Sequence, residues 1–88
     1  MRSQNHRKAS PELLWQLSTN LKRLREARGY TQRDLANLCG LTKNYVSYIE
    51  CATLNISLAT LEALANGLDC TADDLLRRPQ TSGTEPCR

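Results

Sequence analysis

The sequence has no phenylalanine, and its aromatic side chains are limited to Trp15, Tyr30, Tyr45 and Tyr48. A core must therefore be built from aliphatic residues, and leucines recur from residue 13 to residue 76. Eighty-eight residues suffice for one small domain. Together these features predict a single all-α domain.

Several further absences exclude classes of protein. No run approaches 18 consecutive apolar residues, so no membrane span is predicted. The polar start of the chain lacks the apolar segment of a secretory signal, which predicts a cytoplasmic protein. In that location free cysteines are expected, and a set of disulfides among the four cysteines is the less favoured alternative. The chain has no CxxC pair and one histidine, His6, so no metal or cofactor is expected. Paired catalytic carboxylates and a phosphate loop are also missing, which argues against an enzyme.

Charge is unevenly distributed along the chain. Residues 1–30 hold seven basic and two acidic side chains, a net charge of +5. Residues 31–88 hold five basic and seven acidic side chains, a net charge of −2. This asymmetry suits a protein that turns one side toward a polyanion. Two solvated surfaces that merely differ in charge are the alternative.

Residues 31–51, TQRDLANLCGLTKNYVSYIEC, have the pattern of two short helices joined by a glycine turn. Thr31 and Thr42 are typical N-cap residues, and Asp34 follows Thr31 at the spacing of a capping box. Gly40 suits the left-handed conformation just past a helix end. Apolar or small residues at helical spacing give each helix one inward face: Leu35, Ala36, Cys39, Leu41, Val46 and Ile49. This pattern predicts a helix-turn-helix.

Three more helices are predicted around this motif. The first starts at Ser10-Pro11 and runs to about Arg28, with Leu14, Leu17, Leu21 and Leu24 facing inward. The fourth starts after Ser57, and its inward face is Leu58, Leu61, Leu64, Ala65 and Leu68. The fifth starts after Thr71. We therefore divide the chain into a flexible basic arm (1–9), a domain (10–77) and a disordered tail (78–88).

The segment from about Leu21 to Leu76 resembles the Cro/repressor-type, or xenobiotic-response-element, family of helix-turn-helix regulators. The residues that carry the resemblance are LKRLREARGYTQRDLANLCGLTKNYVSYIE and NISLATLEALANGLDCTADDLL. The resemblance implies a compact, all-α, five-helix lambda-repressor-like domain that binds double-stranded DNA, usually as a homodimer on a near-palindromic operator.

In such a domain the second helix of the motif lies in the major groove. Its exposed face would carry Lys43, Asn44, Ser47 and Tyr48, which are hydrogen-bonding types able to reach base edges. We expect phosphate contacts to flank them. Gln32 matches a family position that bonds the DNA backbone, and the further candidates are Arg33, Thr42, Tyr45 and Asn55. A solvated surface is the alternative for Arg33.

The resemblance also implies that Arg25 and Glu50 pair between the first helix and the end of the recognition helix. The chain departs from the family pattern just after this point. Where the family has a glycine, basic residues and a proline, this loop reads Cys51-Ala52-Thr53-Leu54-Asn55-Ile56. A loop without positive charge should make fewer phosphate contacts and weaken the salt dependence of binding.

These features predict a transcriptional regulator on the nucleoid that competes with or contacts RNA polymerase and has no catalytic activity. A phage-type repressor, a restriction–modification controller and an antitoxin-like autoregulator all fit the small size. The alternative is a protein-interaction module of the same fold that docks through Leu13, Trp15 and the acidic fifth helix.

Overall fold

A computed structural model describes residues 9–79, and within them the chain forms five α-helices. Their bounds are α1 Pro11–Ala27, α2 Gln32–Cys39, α3 Lys43–Glu50, α4 Leu58–Gly67 and α5 Ala72–Leu76. Helices α2 and α3 pack against each other, α1 packs on α3 and α5, and α4 packs on α2 and α5. The predicted all-α, five-helix fold is confirmed.

Every helix begins at a serine or threonine whose side-chain oxygen accepts a bond from the backbone N–H three residues later. These N-caps are Ser10, Thr31, Thr42, Ser57 and Thr71. Asp34 and Asp74 return the bond and complete two capping boxes. The backbone N–H of Thr31 and of Thr71 thereby lowers the pKa of the Asp34 and Asp74 carboxyls respectively.

The core is aliphatic, as the lack of phenylalanine predicts. Its buried members are Leu17, Leu21, Leu35, Ala36, Val46, Ile49, Leu61, Leu64, Ala65, Leu68 and Leu75. The prediction that Leu58 faces inward is wrong, because this side chain is 82% exposed. Leu58 has the angular position of the inward face, but it is the first residue of α4 and lies at the rim of the core.

The polar side chain of Asn20 is fully buried between α1 and α5. Its Nδ2 donates to the carbonyl oxygens of Leu75 (2.9 Å) and Arg77 (2.7 Å), and Gln16 Nε2 donates to that of Leu76 (2.7 Å). Three consecutive carbonyls that α5 leaves without helical partners are thus satisfied by α1. A helix of five residues acquires a fixed position in this way.

The limits of the predicted domain need two adjustments. Ala9, which we assigned to the flexible arm, is half-buried, and its N–H donates to Asn55 Oδ1 over 3.0 Å. Pro79, which we assigned to the disordered tail, is buried. Arg78, also assigned to the tail, is exposed, and the remaining residues of both predicted segments, 1–8 and 80–88, lie outside the described residues.

The backbone is in the left-handed region just past both α2 and α3, at a glycine in the first case and at an alanine in the second. Gly40 has φ of 73°, in the left-handed region that the sequence predicts for it. Ala52 has φ of 59° just past α3, where its N–H donates to the carbonyl of Ile49 and that of Thr53 to the carbonyl of Tyr48. A Cβ in this conformation costs roughly 1–2 kcal/mol. The alanine therefore occupies a position suited to glycine.

We expect Ala52→Gly to stabilise the fold by roughly 0.5–1 kcal/mol, because the strain it removes exceeds the entropy that glycine adds to the unfolded chain. Urea unfolding measures the change. Gly40→Ala is the matched reverse substitution, since an added Cβ there has no neighbour within 4 Å. It should destabilise through backbone strain alone. Equal stability of Ala52→Gly and the parent would contradict this account of α3.

Gly67 packs so closely against α2 that a Cβ built on it would lie 2.6 Å from Cys39 Sγ. We expect Gly67→Ala to destabilise by about 1 kcal/mol, since overpacking outweighs the better helix propensity of alanine. In a Cys39→Ala background the same substitution should become neutral or stabilising. Thermal unfolding of the four proteins provides the test, and an equal loss in both backgrounds would refute the contact.

Candidate nucleic-acid interface

Helix α3 presents a polar face outward because its apolar residues anchor it in the core. Val46 and Ile49 are 0% and 1% exposed. Lys43, Asn44 and Tyr48 are exposed, and Ser47 is half-buried. We call Lys43, Asn44, Ser47 and Tyr48 the reading face. The structure therefore brings together on one helix face the four residues predicted to contact bases.

The turn before α3 sets the angle between the two helices of the motif. Ala36 is 1% exposed, and its carbonyl accepts a bond of 2.8 Å from the N–H of Leu41 across the Gly40 turn. A small side chain at residue 36 lets α2 and α3 approach closely. Thr42 then caps α3, because its Oγ1 accepts from the N–H of Tyr45 over 3.1 Å.

Arg25 and Glu50 connect α1 to the last residue of α3. Arg25 Nε and Nη2 donate to the two carboxylate oxygens of Glu50 over 2.6 and 3.1 Å, so the pair is bidentate. The side chains are only 10% and 4% exposed. Arg25 Nη1 also donates to the carbonyl of Tyr30 over 2.7 Å. The hydrogen bond to Glu50 raises the pKa of Arg25, whose charge is therefore retained despite burial.

Gln32 extends this connection to α2. Its Nε2 donates to Glu50 Oε1 over 3.0 Å, so one carboxylate receives hydrogen bonds from both α1 and α2. The sequence predicted Gln32 as a phosphate contact and did not predict this bond. A signal for it was available, because Gln32 begins α2 and Glu50 ends α3, and a turn that packs α3 against α2 brings those ends closer.

The remaining phosphate candidates lie in different environments. Arg33 is exposed on α2, Thr42 is the exposed cap of α3, and Tyr45 is packed in part against the core. Asn55 lies in the loop between α3 and α4, where its Oδ1 accepts the bond from Ala9. Sequence reasoning missed this last contact because it joins residues 46 positions apart.

The residues that the sequence suggested for protein docking do not form one exposed patch. Leu13 is 39% exposed and lies with Leu58 on an apolar groove of about 160 Å³ between α1, α4 and α5. Trp15 is half-buried, and its shielded Nε1 has no acceptor among the described residues. Within residues 9–79 no cluster of metal-binding side chains occurs, and no helix is long and apolar enough to cross a membrane.

Comparisons with known proteins agree with the helix-turn-helix fold. A family model described as helix-turn-helix matches residues 21–75. A hypothetical transcription factor from Neisseria meningitidis is 39% identical over 64 residues, which are 73% of this chain and 60% of that protein. The chain thus spans about three fifths of this relative's length.

Solved structures of restriction-modification controller proteins have a similar fold. The restriction-modification controller protein C.AhdI from Aeromonas hydrophila is 37% identical, with a TM-score of 0.69 over 70% of this chain and 94% of that one. A second controller protein, solved as a tetramer in complex with its natural 35-base-pair operator, is 36% identical, with a TM-score of 0.64 over 67% of this chain and 79% of that one.

We expect Arg25→Ala and Glu50→Ala each to destabilise the domain by roughly 3–5 kcal/mol, because each leaves a buried charge without its partner. The double variant should lose less than the sum of the two. Urea unfolding measures this coupling, and Arg25→Lys, which keeps the charge without the bidentate geometry, should be intermediate. Arg77→Ala, which removes an exposed pair with Asp73, is the control and should change little. Additive losses at Arg25 and Glu50 would contradict the pairing.

Proposed function

The chain belongs to the helix-turn-helix family, and from this membership and the geometry of α3 we propose that it is a sequence-specific, double-stranded DNA-binding regulator of transcription without catalytic activity. The observation that carries the proposal is the reading face, which is held outward on a helix whose other side is buried and whose end is bonded to both α1 and α2. A helix held in this way presents these side chains to base edges without rearrangement of its backbone.

Each residue of the reading face has a chemistry suited to the major groove. The Lys43 ammonium donates to guanine O6 and N7, and the Asn44 amide bonds adenine N6 and N7 together. Ser47 either donates or accepts. The Tyr48 ring packs on a thymine methyl, or its hydroxyl bonds a backbone oxygen. Since Tyr48 is 57% exposed, its side chain is free to reach DNA.

Phosphate contacts would position this face. Gln32 uses one N–H of its amide on Glu50, and the second N–H remains for a phosphate beside the N–H groups at the start of α2. Arg33 and Thr42 are exposed, and Tyr45 and Asn55 complete the proposed set.

A homodimer would place two reading faces about one helical turn apart, roughly 34 Å, on a near-palindromic operator. The relative crystallised as a tetramer with its 35-base-pair operator supports this assembly. Because this relative and C.AhdI are both restriction-modification controller proteins, that class is favoured among the regulator classes considered. Regulation would follow from competition with, or contact to, RNA polymerase.

A protein-interaction module is the second candidate, and the apolar groove beside the exposed Leu58 is the observation in its favour. In that case the reading face would be a solvated surface. Substitutions on the reading face would leave partner binding unchanged, whereas Leu58→Glu would abolish it.

Selection of binding sites from random duplex DNA tests the proposed function. The expected product is a short half-site repeated in inverted orientation about one helical turn apart. A pool without enrichment after repeated rounds, with the protein folded by circular dichroism, would refute DNA recognition.

We expect Lys43→Ala and Asn44→Ala each to weaken binding to the selected site by roughly 5- to 150-fold, the equivalent of about 1–3 kcal/mol per base contact. Each should also relax the base preference at one position, which a second selection would reveal. The matched control for Asn44→Ala is Asn66→Ala, an exposed asparagine on α4. Unchanged affinity of both reading-face variants would refute the proposal that α3 contacts the bases.

A further inference from the structure

The apolar groove between α1, α4 and α5 has exposed leucines on its rim. Leu58 is 82% exposed and Leu13 is 39% exposed, and among the described residues only two other large hydrophobic side chains, Leu38 and Tyr48, are exposed. An apolar space of about 150 Å³ holds a benzene molecule. The groove of about 160 Å³ therefore accommodates the four-carbon side chain of a leucine. Exposed apolar side chains that gather around a groove mark a contact with another macromolecule.

The groove carries no charge. Eight of its ten lining residues are apolar, and the other two are Asn55 and Ser57. Most of it is built from residues 13–21 and 51–61, which are the two longest uncharged runs within residues 9–79. A charged partner would find no opposite charge here. The surface that fits the groove is one that is equally uncharged and apolar.

A second copy of this chain offers such a surface. In a two-fold contact the same patch of each copy meets itself, so any charged patch would face its own charge and oppose association. The groove is free of this repulsion. Its exposed Leu58 also supplies the apolar side chain that the groove of the other copy can accept. The cores of dimer interfaces have this composition, apolar and depleted in charge.

Half of the groove comes from residues outside the segment that the helix-turn-helix family model matches. That segment spans residues 21–75. The five lining residues outside it are Ala9, Leu13, Leu14, Leu17 and Leu76. Helix α1 begins at Pro11, ten residues before the matched segment, which corresponds to about 15 Å of additional helix. The groove therefore depends on a part of α1 that the shared segment does not include.

The groove also adjoins the DNA-binding side of the domain without covering the reading face. Its residues Asn55 and Ile56 lie in the loop that follows α3, and none of the four reading-face residues lines it. Ile56 is six residues after Glu50, so their Cα atoms are at most about 23 Å apart. A two-fold axis beside Ile56 thus keeps the ends of two α3 helices within about 46 Å. This range includes the separation of roughly 34 Å that adjacent major grooves require.

We propose that this groove is the homodimer interface, in which Leu58 of each copy enters the groove of the other copy beside Leu13. The inference rests on the proposed function, which requires two reading faces, and it assigns the surface that joins them. The additional turns of α1 have a role in this arrangement, because they supply the wall of the groove that receives Leu58.

Sedimentation equilibrium of the full chain without DNA tests the interface. The parent should be a dimer. Leu58→Glu should weaken dimerisation by roughly 100-fold or more, since a two-fold contact loses two buried leucines and gains two like charges. The monomer should stay folded by circular dichroism, because residue 58 is exposed and a carboxylate is favourable at the start of α4.

Leu38→Glu is the matched control, because Leu38 is a 55% exposed leucine on α2 that does not line the groove. It should leave the dimer unchanged. A parent that remains monomeric at the highest concentration reached would overturn the inference. Equal dimerisation of Leu58→Glu and the control would do so as well.

A mixture of two variants tests which residues meet. Leu13→Lys and Leu58→Glu should each dimerise poorly alone. Mixed together, they can form a heterodimer with one native Leu58–Leu13 contact and one lysine–glutamate pair. The mixture should therefore associate more tightly than either variant by itself. No gain on mixing would contradict the contact between Leu58 and Leu13 of two copies.

Binding to one and to two half-sites separates the interface from the proposed function. Leu58→Glu should match the parent on a duplex with a single half-site, but it should lose the added affinity of the parent for two half-sites. An equal loss on both duplexes would assign residue 58 to the DNA contact and overturn the inference. A dimeric parent that binds no selected duplex, with Leu58→Glu monomeric, would refute the proposed function and support the interface.

Discussion

The Glu50 carboxylate is the point on which the geometry of this domain depends. It lies at the end of α3 and accepts two bonds from Arg25 on α1 and one from Gln32 on α2. A charge that is 4% exposed is tolerable only when it is paired in this way. Apolar packing alone does not fix orientation, whereas these hydrogen bonds fix both the distance and the orientation of the end of α3. They therefore also set the orientation of the reading face.

A second set of polar contacts holds α5 against α1. Asn20 and Gln16 on α1 satisfy the last carbonyls of α5, a helix too short to be stable alone. Helix α1 is thus bonded to α3 through Arg25 near its end and to α5 through its middle. The aliphatic core supplies most of the burial, while these side chains select one arrangement of the helices around it.

The loop between α3 and α4, residues 51–57, contains no charged side chain. The same loop contains Ala52 in a strained conformation that glycine would relieve. The bond from Ala9 joins the start of α1 to this loop across 46 positions of sequence. Asn55, one of the proposed phosphate contacts, is thereby held by a residue distant from the two helices of the motif.

The sequence by itself determined the five helices, because local rules govern their ends: each N-cap is a serine or threonine, and Gly40 takes the left-handed conformation at its turn. It also determined which residues of α3 face outward, since helical spacing follows from the sequence. Tertiary structure alone decided that Leu58 is exposed, that Asn20 is buried, that Gln32 bonds Glu50 and that Ala9 bonds Asn55. Periodicity assigns a residue to a face of its helix, but where that face extends past the core, and which distant polar atoms meet, depend on how the helices pack.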